Sequence, residues 1–183
     1  QIETLRVRNF RVFRDITVEN IPQMAVFLGQ NGSGKTTFFD LFGFLHDCLT
    51  SNVRSALARR GGYQEVISRD QTGDLQFEVK FRPSPGEPVI TYEITIGLGE
   101  NSVPVVKKEV MRFRRGRYGA PWKILDFANG EGVAADGDLQ SYEDVQIADR
   151  IPQRVSAPDI LAVKGLGQFE NFPAMASLRR LIE

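Results

Sequence analysis

The sequence predicts an α/β fold: a mixed core sheet around a glycine-rich loop, with an antiparallel β-meander beside it. Three observations carry that expectation. A continuous apolar run, Met24 to Leu28, enters the stretch GQNGSGKTT, and Phe38, Leu41, Phe42 and Leu45 leave it at helical spacing. Further on the period becomes two. Leu75, Phe77, Val79 and Phe81 alternate with Gln76, Glu78, Lys80 and Arg82, and Ile90, Tyr92, Ile94 and Ile96 repeat the pattern. Finally, 183 residues with 42% hydrophobic content suit one domain or one lobe of a larger one.

In chain order, Leu5 and Val7 alternate with Arg6 and Arg8, which predicts a first strand over LRVRNF. A short second strand, Ile16 to Val18, follows a turn at Arg14-Asp15, and Pro22 ends the link. Met24 to Leu28 reads as a strand buried on both faces. A helix follows the glycines. Another is expected over Ser51 to Arg60, capped by Ser51 or Asn52 and stopped by Gly61-Gly62. The alternating segments form the meander, with PSPGEP as turn material and VVKKEVMRFRRG and WKILDF as two more strands. The last forty residues offer a short apolar run after Pro158 and a helix starting near Pro173, which meets the final residue in mid-pattern and suggests a truncated end. The expected organisation is a single lobe over 1–183: a glycine-loop core at 1–70, a meander at 71–128, and loop and helices at 129–183.

Charge and cysteine content set bounds. Net charge is formally zero, so no global field draws the chain to nucleic acid or membrane. The start, QIETLRVRNF, is no signal peptide, because charges appear at once. No apolar run approaches the roughly 20 residues of a spanning helix. A single cysteine, Cys48, excludes an internal disulfide and favours a reducing, cytoplasmic setting. Charge is uneven, however. Val106 to Arg117 holds six basic residues and one acid, either plain strand surface or a phosphate-facing patch. Asp126 to Asp149 holds seven acids and no base, as a flexible surface excursion would.

Gly29 to Thr36 fits G-x-x-x-x-G-K-[ST] in full, between an apolar run and an amphipathic segment. Gly29, Gly32 and Gly34 lack Cβ atoms and allow positive φ, so successive N–H groups can form a nest around a phosphate. Gln30, Asn31 and Ser33 mainly contribute backbone donors. The helix mouth adds its dipole and free N–H groups. Lys35 is a point charge suited to β- and γ-phosphates, the catalytic contribution expected of this chain. Thr36 offers its hydroxyl to Mg²⁺, and Thr37 suits an α-phosphate oxygen. The expected ligands are a nucleoside triphosphate and Mg²⁺. No N-K-x-D guanine-reading motif occurs, so ATP is the better expectation.

IETLRVRNFRVFRDITVEN followed by FLGQNGSGKTTFFDLFGFL resembles the N-terminal half of an ABC-type P-loop ATPase head of the RecF/SMC/OLD-like group. RRGGYQEVISR, Arg59 to Arg69, is similar to a segment of predicted ATPases in that group. The resemblance implies a first lobe built on a phosphate loop, and a second lobe with signature, Walker B Asp-Glu and switch histidine. Two heads would clamp ATP between them. It also implies a Q-loop glutamine reaching Mg²⁺, for which Gln168 is the candidate over Gln146 and Gln153, and a base-flanking segment at Arg11 and Phe13.

The chain departs from the pattern after residue 40, where neither an apolar run ending in Asp-Glu nor an LSGGQ-like signature occurs. His46 reads as a partly buried helical histidine, and Cys48 has no nucleophile context. The expected function is therefore the ATP-binding lobe of an ATPase acting on DNA, in repair, chromosome maintenance or phage defence. Hydrolysis would need a completing lobe. The expected partners are a second head, DNA, and a nuclease or effector, with no membrane. A transporter-type nucleotide-binding subunit and a non-hydrolysing switch module are the alternatives.

Overall fold

The computed structural model describes residues 1–114, 120–135 and 150–182. Among the described residues, eight strands form one sheet: β1 (Ile2–Phe10), β2 (Phe13–Glu19), β3 (Leu75–Phe81), β4 (Ile90–Leu98), β5 (Pro104–Phe113), β6 (Trp122–Ala128), β7 (Glu131–Ala135) and β8 (Arg150–Arg154). Their order is β2-β1-β3-β4-β5-β6-β7-β8, and every neighbouring pair is antiparallel. The mixed core sheet is thus corrected: first strands and meander make one continuous antiparallel sheet. The first turn also falls earlier than expected, at Arg11-Val12, so β2 begins at Phe13.

One face is apolar and covered by helices α1 (Lys35–Thr50), α2 (Val53–Ala58), α4 (Ala162–Leu166) and α5 (Pro173–Ile182); α3 (Tyr63–Val66) lies between α2 and β3 in the chain. The alternation explains this. Leu5, Val7, Phe77, Val79, Tyr92 and Ile94 point inward, against Leu41, Phe44, Leu45 and Cys48 of α1, and all are buried. Phe10, Phe44 and Phe77 form a three-ring centre with centroids 5.6–5.7 Å apart. Of the two caps the sequence offers, Ser51 and Asn52, it is Asn52 that caps α2, its side chain accepting from Ser55 N–H at 2.7 Å.

The opposite face is wet and charge-balanced. Asp15 accepts from Arg6 and Arg8 at 2.9 Å each, and Glu93 pairs with Lys108 and Arg112. The basic stretch at 106–117 therefore has three residues compensated, Lys108 and Arg112 by Glu93 and Lys107 by Asp74 at 2.8 Å. Its residues 115–117 lie outside the described residues.

The largest correction concerns Met24 to Leu28. It is not a buried strand. The segment is irregular, and Met24, Val26 and Leu28 are 86%, 78% and 89% exposed. A strand buried on both faces needs neighbours on both edges and cover above and below. Among the described residues, no strand pairs with it. The expectation of loop and helices for 129–183 is corrected too, because β7 and β8 extend the sheet. Most of the acidic excursion, 136–149, lies outside the described residues.

Candidate functional site

The glycine-rich loop ends at the mouth of α1. Gly34 sits at the N-cap with φ 93°, so no side chain caps the helix. Phe38 N–H closes the first turn on Gly34 O at 2.9 Å. The N–H groups of Lys35, Thr36 and Thr37 come before any intrahelical acceptor, and no side chain of the described residues caps them. Gly32 has φ 84°, again a left-handed backbone. At Gly29 the constraint is space rather than φ, since a Cβ there would stand 2.7 Å from Ser33 Oγ. Lys35 Nζ folds back over the loop, donating to Gly29 O at 2.6 Å and Gln30 O at 2.7 Å. Gln30, Asn31, Ser33 and Thr36 are exposed. Helix-mouth N–H groups, the positive helix end and an ammonium therefore belong to one short loop, an arrangement that suits an anion.

The β1–β2 turn leans on this loop. The Phe13 ring approaches Gly34 so closely that a Cβ there would lie 2.9 Å from its edge. Arg11 adopts φ 50°, its N–H held by Val66 O at 2.7 Å. Buried Asn9, at φ 60°, fastens the turn to the segment after α3. Its Nδ2 donates to Gly73 O at 2.9 Å and its Oδ1 accepts from Ser68 N–H at 3.0 Å, while Ser68 Oγ donates to Phe13 O at 2.9 Å. Asn tolerates this backbone region better than most residues. The result is a cavity of about 420 Å³ lined by Arg11, Val12, Arg14, Glu65, Ile67, Ser68 and Arg69. Arg11 thus joins residues from the Arg59 to Arg69 segment.

A chain of charges runs from Arg11 along the helices. Arg11 Nε lies 2.6 Å from Asp40 Oδ2, Arg60 Nε donates to Asp40 Oδ1 at 2.9 Å, and Arg60 Nη1 donates to Asp47 Oδ2 at 2.7 Å. Arg59 also pairs with Asp47. Burial pushes the Asp47 carboxyl up, but the hydrogen bond and charge of Arg60, with Arg59 beside it, outweigh that and hold it below the ordinary carboxylate range. The Arg60 guanidinium also stands 5.4 Å from the Phe44 ring centre. Arg11, Arg59 and Arg60 are thus committed to internal acids, with Arg54 turned toward Asp159. Sequence reading missed Asp40 and Asp47 as their partners, although their places on α1 in FFDLFGFLHD are two turns apart and so share a face.

Gln168 sits exposed on the turn after α4, its Nε2 donating to Lys164 O at 3.3 Å. No hydrogen bond of the described residues joins it to Thr36. His46 is a half-buried residue of α1, as expected. Cys48 is buried, and burial pushes its thiol far above the ordinary range, as suits an inert packing residue.

A residue unmarked by any motif is Glu109. It is 1% exposed on β5, opposite inward-facing Ile94 and on the same face as buried Met111 and Phe113. It accepts from Tyr92 Oη at 2.9 Å, Ala162 N–H at 2.6 Å and Val163 N–H at 2.9 Å, tying the start of α4 to the sheet. Burial raises its carboxyl to about 7, against the pull of those three donors.

A glycine-rich loop opening a helix, braced by the first hairpin of an antiparallel sheet, defines an α/β domain with an anion-suited helix mouth. Residues 4–145 match the AAA domain family, and the chain belongs to it. Membership implies nucleotide binding, and with the relatives below it supports the N-terminal lobe of a RecF/SMC-like ABC-type ATPase that the motifs suggested. It is similar to the DNA replication and repair protein RecF of Herpetosiphon aurantiacus, at 26% identity over 52% of this chain and 24% of that protein. The RecF of Corynebacterium jeikeium is 34% identical over 33% of this chain and 15% of its own length. The alignments thus take in about a quarter or less of these relatives. Among the described residues, no helix is long and apolar enough to cross a membrane.

Proposed function

We propose that this chain is the ATP-binding lobe of an ABC-type ATPase that works on DNA. The observation that carries the reading is that the N–H groups at the mouth of α1 and Lys35 belong to one short loop. In this reading the amides of Gly32 to Thr37 cradle the phosphates. Lys35 leaves the carbonyls of Gly29 and Gln30 for the β- and γ-phosphates, where its charge offsets the charge that develops on transfer. The exposed Thr36 hydroxyl would hold Mg²⁺, which would neutralise phosphate charge. Arg11 and Phe13 flank the base, and the cavity beside them supports that placement. Gln168 remains the candidate Q-loop residue.

The exposed apolar segment Met24 to Leu28 supports a composite machine, because its pattern calls for cover. In this reading the rest of the head supplies that cover, a second head completes the site, and DNA and a nuclease or effector are the partners. The RecF relatives support the DNA role. The protein tested by itself is expected to bind Mg-ATP weakly and to turn it over negligibly. Duplex DNA binding by the complete ATPase should require Mg-ATP and fall steeply between low and high salt. Salt-insensitive binding, or none, would remove the DNA role, and steady turnover by this chain alone would remove the composite one.

A further inference from the structure

Arg11 is the one arginine of the cavity beside the phosphate loop that is gripped by an acid, and the grip is unusual. Its Nε stands 2.6 Å from Asp40 Oδ2, yet neither buried atom has an aligned hydrogen bond. Nor does any other acceptor among the described residues take an N–H from its guanidinium. Asp40 is itself fixed from two sides. It belongs to α1, one turn beyond Thr36, and Arg60, whose side chain is only 10% exposed, donates to its other oxygen at 2.9 Å. Arg60 is anchored in turn by Asp47 and by Ala56 O at 2.9 Å. The left-handed turn and the Val66 carbonyl fix the Arg11 backbone, but its side chain keeps four rotatable bonds. Asp40 is what stops them.

We propose that Asp40 is a positioning residue: braced by Arg60, it aims the Arg11 guanidinium at the nucleoside part of the bound nucleotide. The inference rests on the reading of Arg11 as base-flanking. A part-exposed Arg–Asp pair adds little stability by itself. An off-line pair leaves the remaining guanidinium N–H groups unspent, facing a cavity that a base or ribose would fill. The carboxylate thus sets direction, and the donors remain for the ligand. Because the triphosphate binds at the α1 mouth, Asp40 should bear on ATP and not on a bare polyphosphate.

The test compares Mg-ATP with Mg-tripolyphosphate by calorimetry on the wild-type protein, Asp40→Asn, Arg11→Ala and the double variant. The expected result is a roughly tenfold weaker ATP affinity in Asp40→Asn, with tripolyphosphate affinity unchanged and no further loss when Asp40→Asn is added to Arg11→Ala. Equal loss for both ligands, or a lowered Tm with ATP affinity unchanged, would overturn the proposal and leave the pair a structural strut. If Asp40→Asn does not fold, the Arg11 Nε–H resonance of the ¹⁵N-arginine wild type, identified with Arg11→Lys, decides. It should shift on adding Mg-ATP and stay in place with tripolyphosphate, and the same shift with both ligands would contradict the inference. A wild type that binds neither ligand would instead refute the nucleotide reading itself.

Discussion

Phe44 and Leu28 are both large apolar residues that flank the glycine-rich loop in sequence, and their fates are opposite. Phe44 is fully buried between Phe10 and Phe77, whereas Leu28 is 89% exposed. Both belong to segments whose apolar patterns predict burial. The difference lies in partners. The helix makes its own backbone hydrogen bonds and needs only one surface to lie on, and the antiparallel sheet supplies it. A doubly buried strand needs edges and covers on all sides. A pattern therefore says that a residue seeks burial, but the remainder of the fold decides whether it finds it.

Several substitutions would break or sharpen that contrast. The largest expected effect is Phe44→Ala, which opens a cavity at the three-ring centre and should cost about 3–5 kcal/mol in a urea melt. A small loss would mean that the α1–sheet contact is loose. Next comes Glu109, which holds the start of α4 to the sheet. Its carboxyl rises from 4.5 to about 7, so the folded state binds that proton more tightly. The stability it contributes is full below about pH 4.5 and is lost as pH rises through 7, with an amplitude of about 3 kcal/mol. Wild-type Tm should fall across this window more steeply than that of Glu109→Gln, and parallel profiles would deny the role. Asn52→Ala removes the α2 cap and should cost about 1 kcal/mol. Smallest is Leu28→Ser, expected to change stability by less than about 0.5 kcal/mol. A loss matching that of Phe44→Ala would show that the segment is packed after all.

The same contrast explains what the sequence disclosed. α1, the meander strands and the Asn52 cap follow from local periodicity and capping chemistry, which residues carry with them. The glycine loop was legible because positive φ at Gly32 and Gly34 leaves a mark on composition. Glu109 was hidden, because a charged residue in an alternating strand reads by itself as solvated surface. The chain from Arg11 to Asp47 was hidden for another reason. It joins residues up to 49 positions apart in sequence, Arg11 and Arg60, through an acid on a helix, and charges on a helix read by themselves as solvated surface. β7 and β8 escaped because short strands rich in Gly, Ala and polar residues lack apolar alternation.

The central claim is that amides and an ammonium at the mouth of α1 hold a triphosphate. Calorimetry of the protein with Mg-ATP, beside Lys35→Ala, tests it most directly. The account predicts saturable binding to the wild type, weakened roughly a hundredfold in Lys35→Ala at an unchanged Tm. Equal binding by both proteins, or none by the wild type, would contradict it.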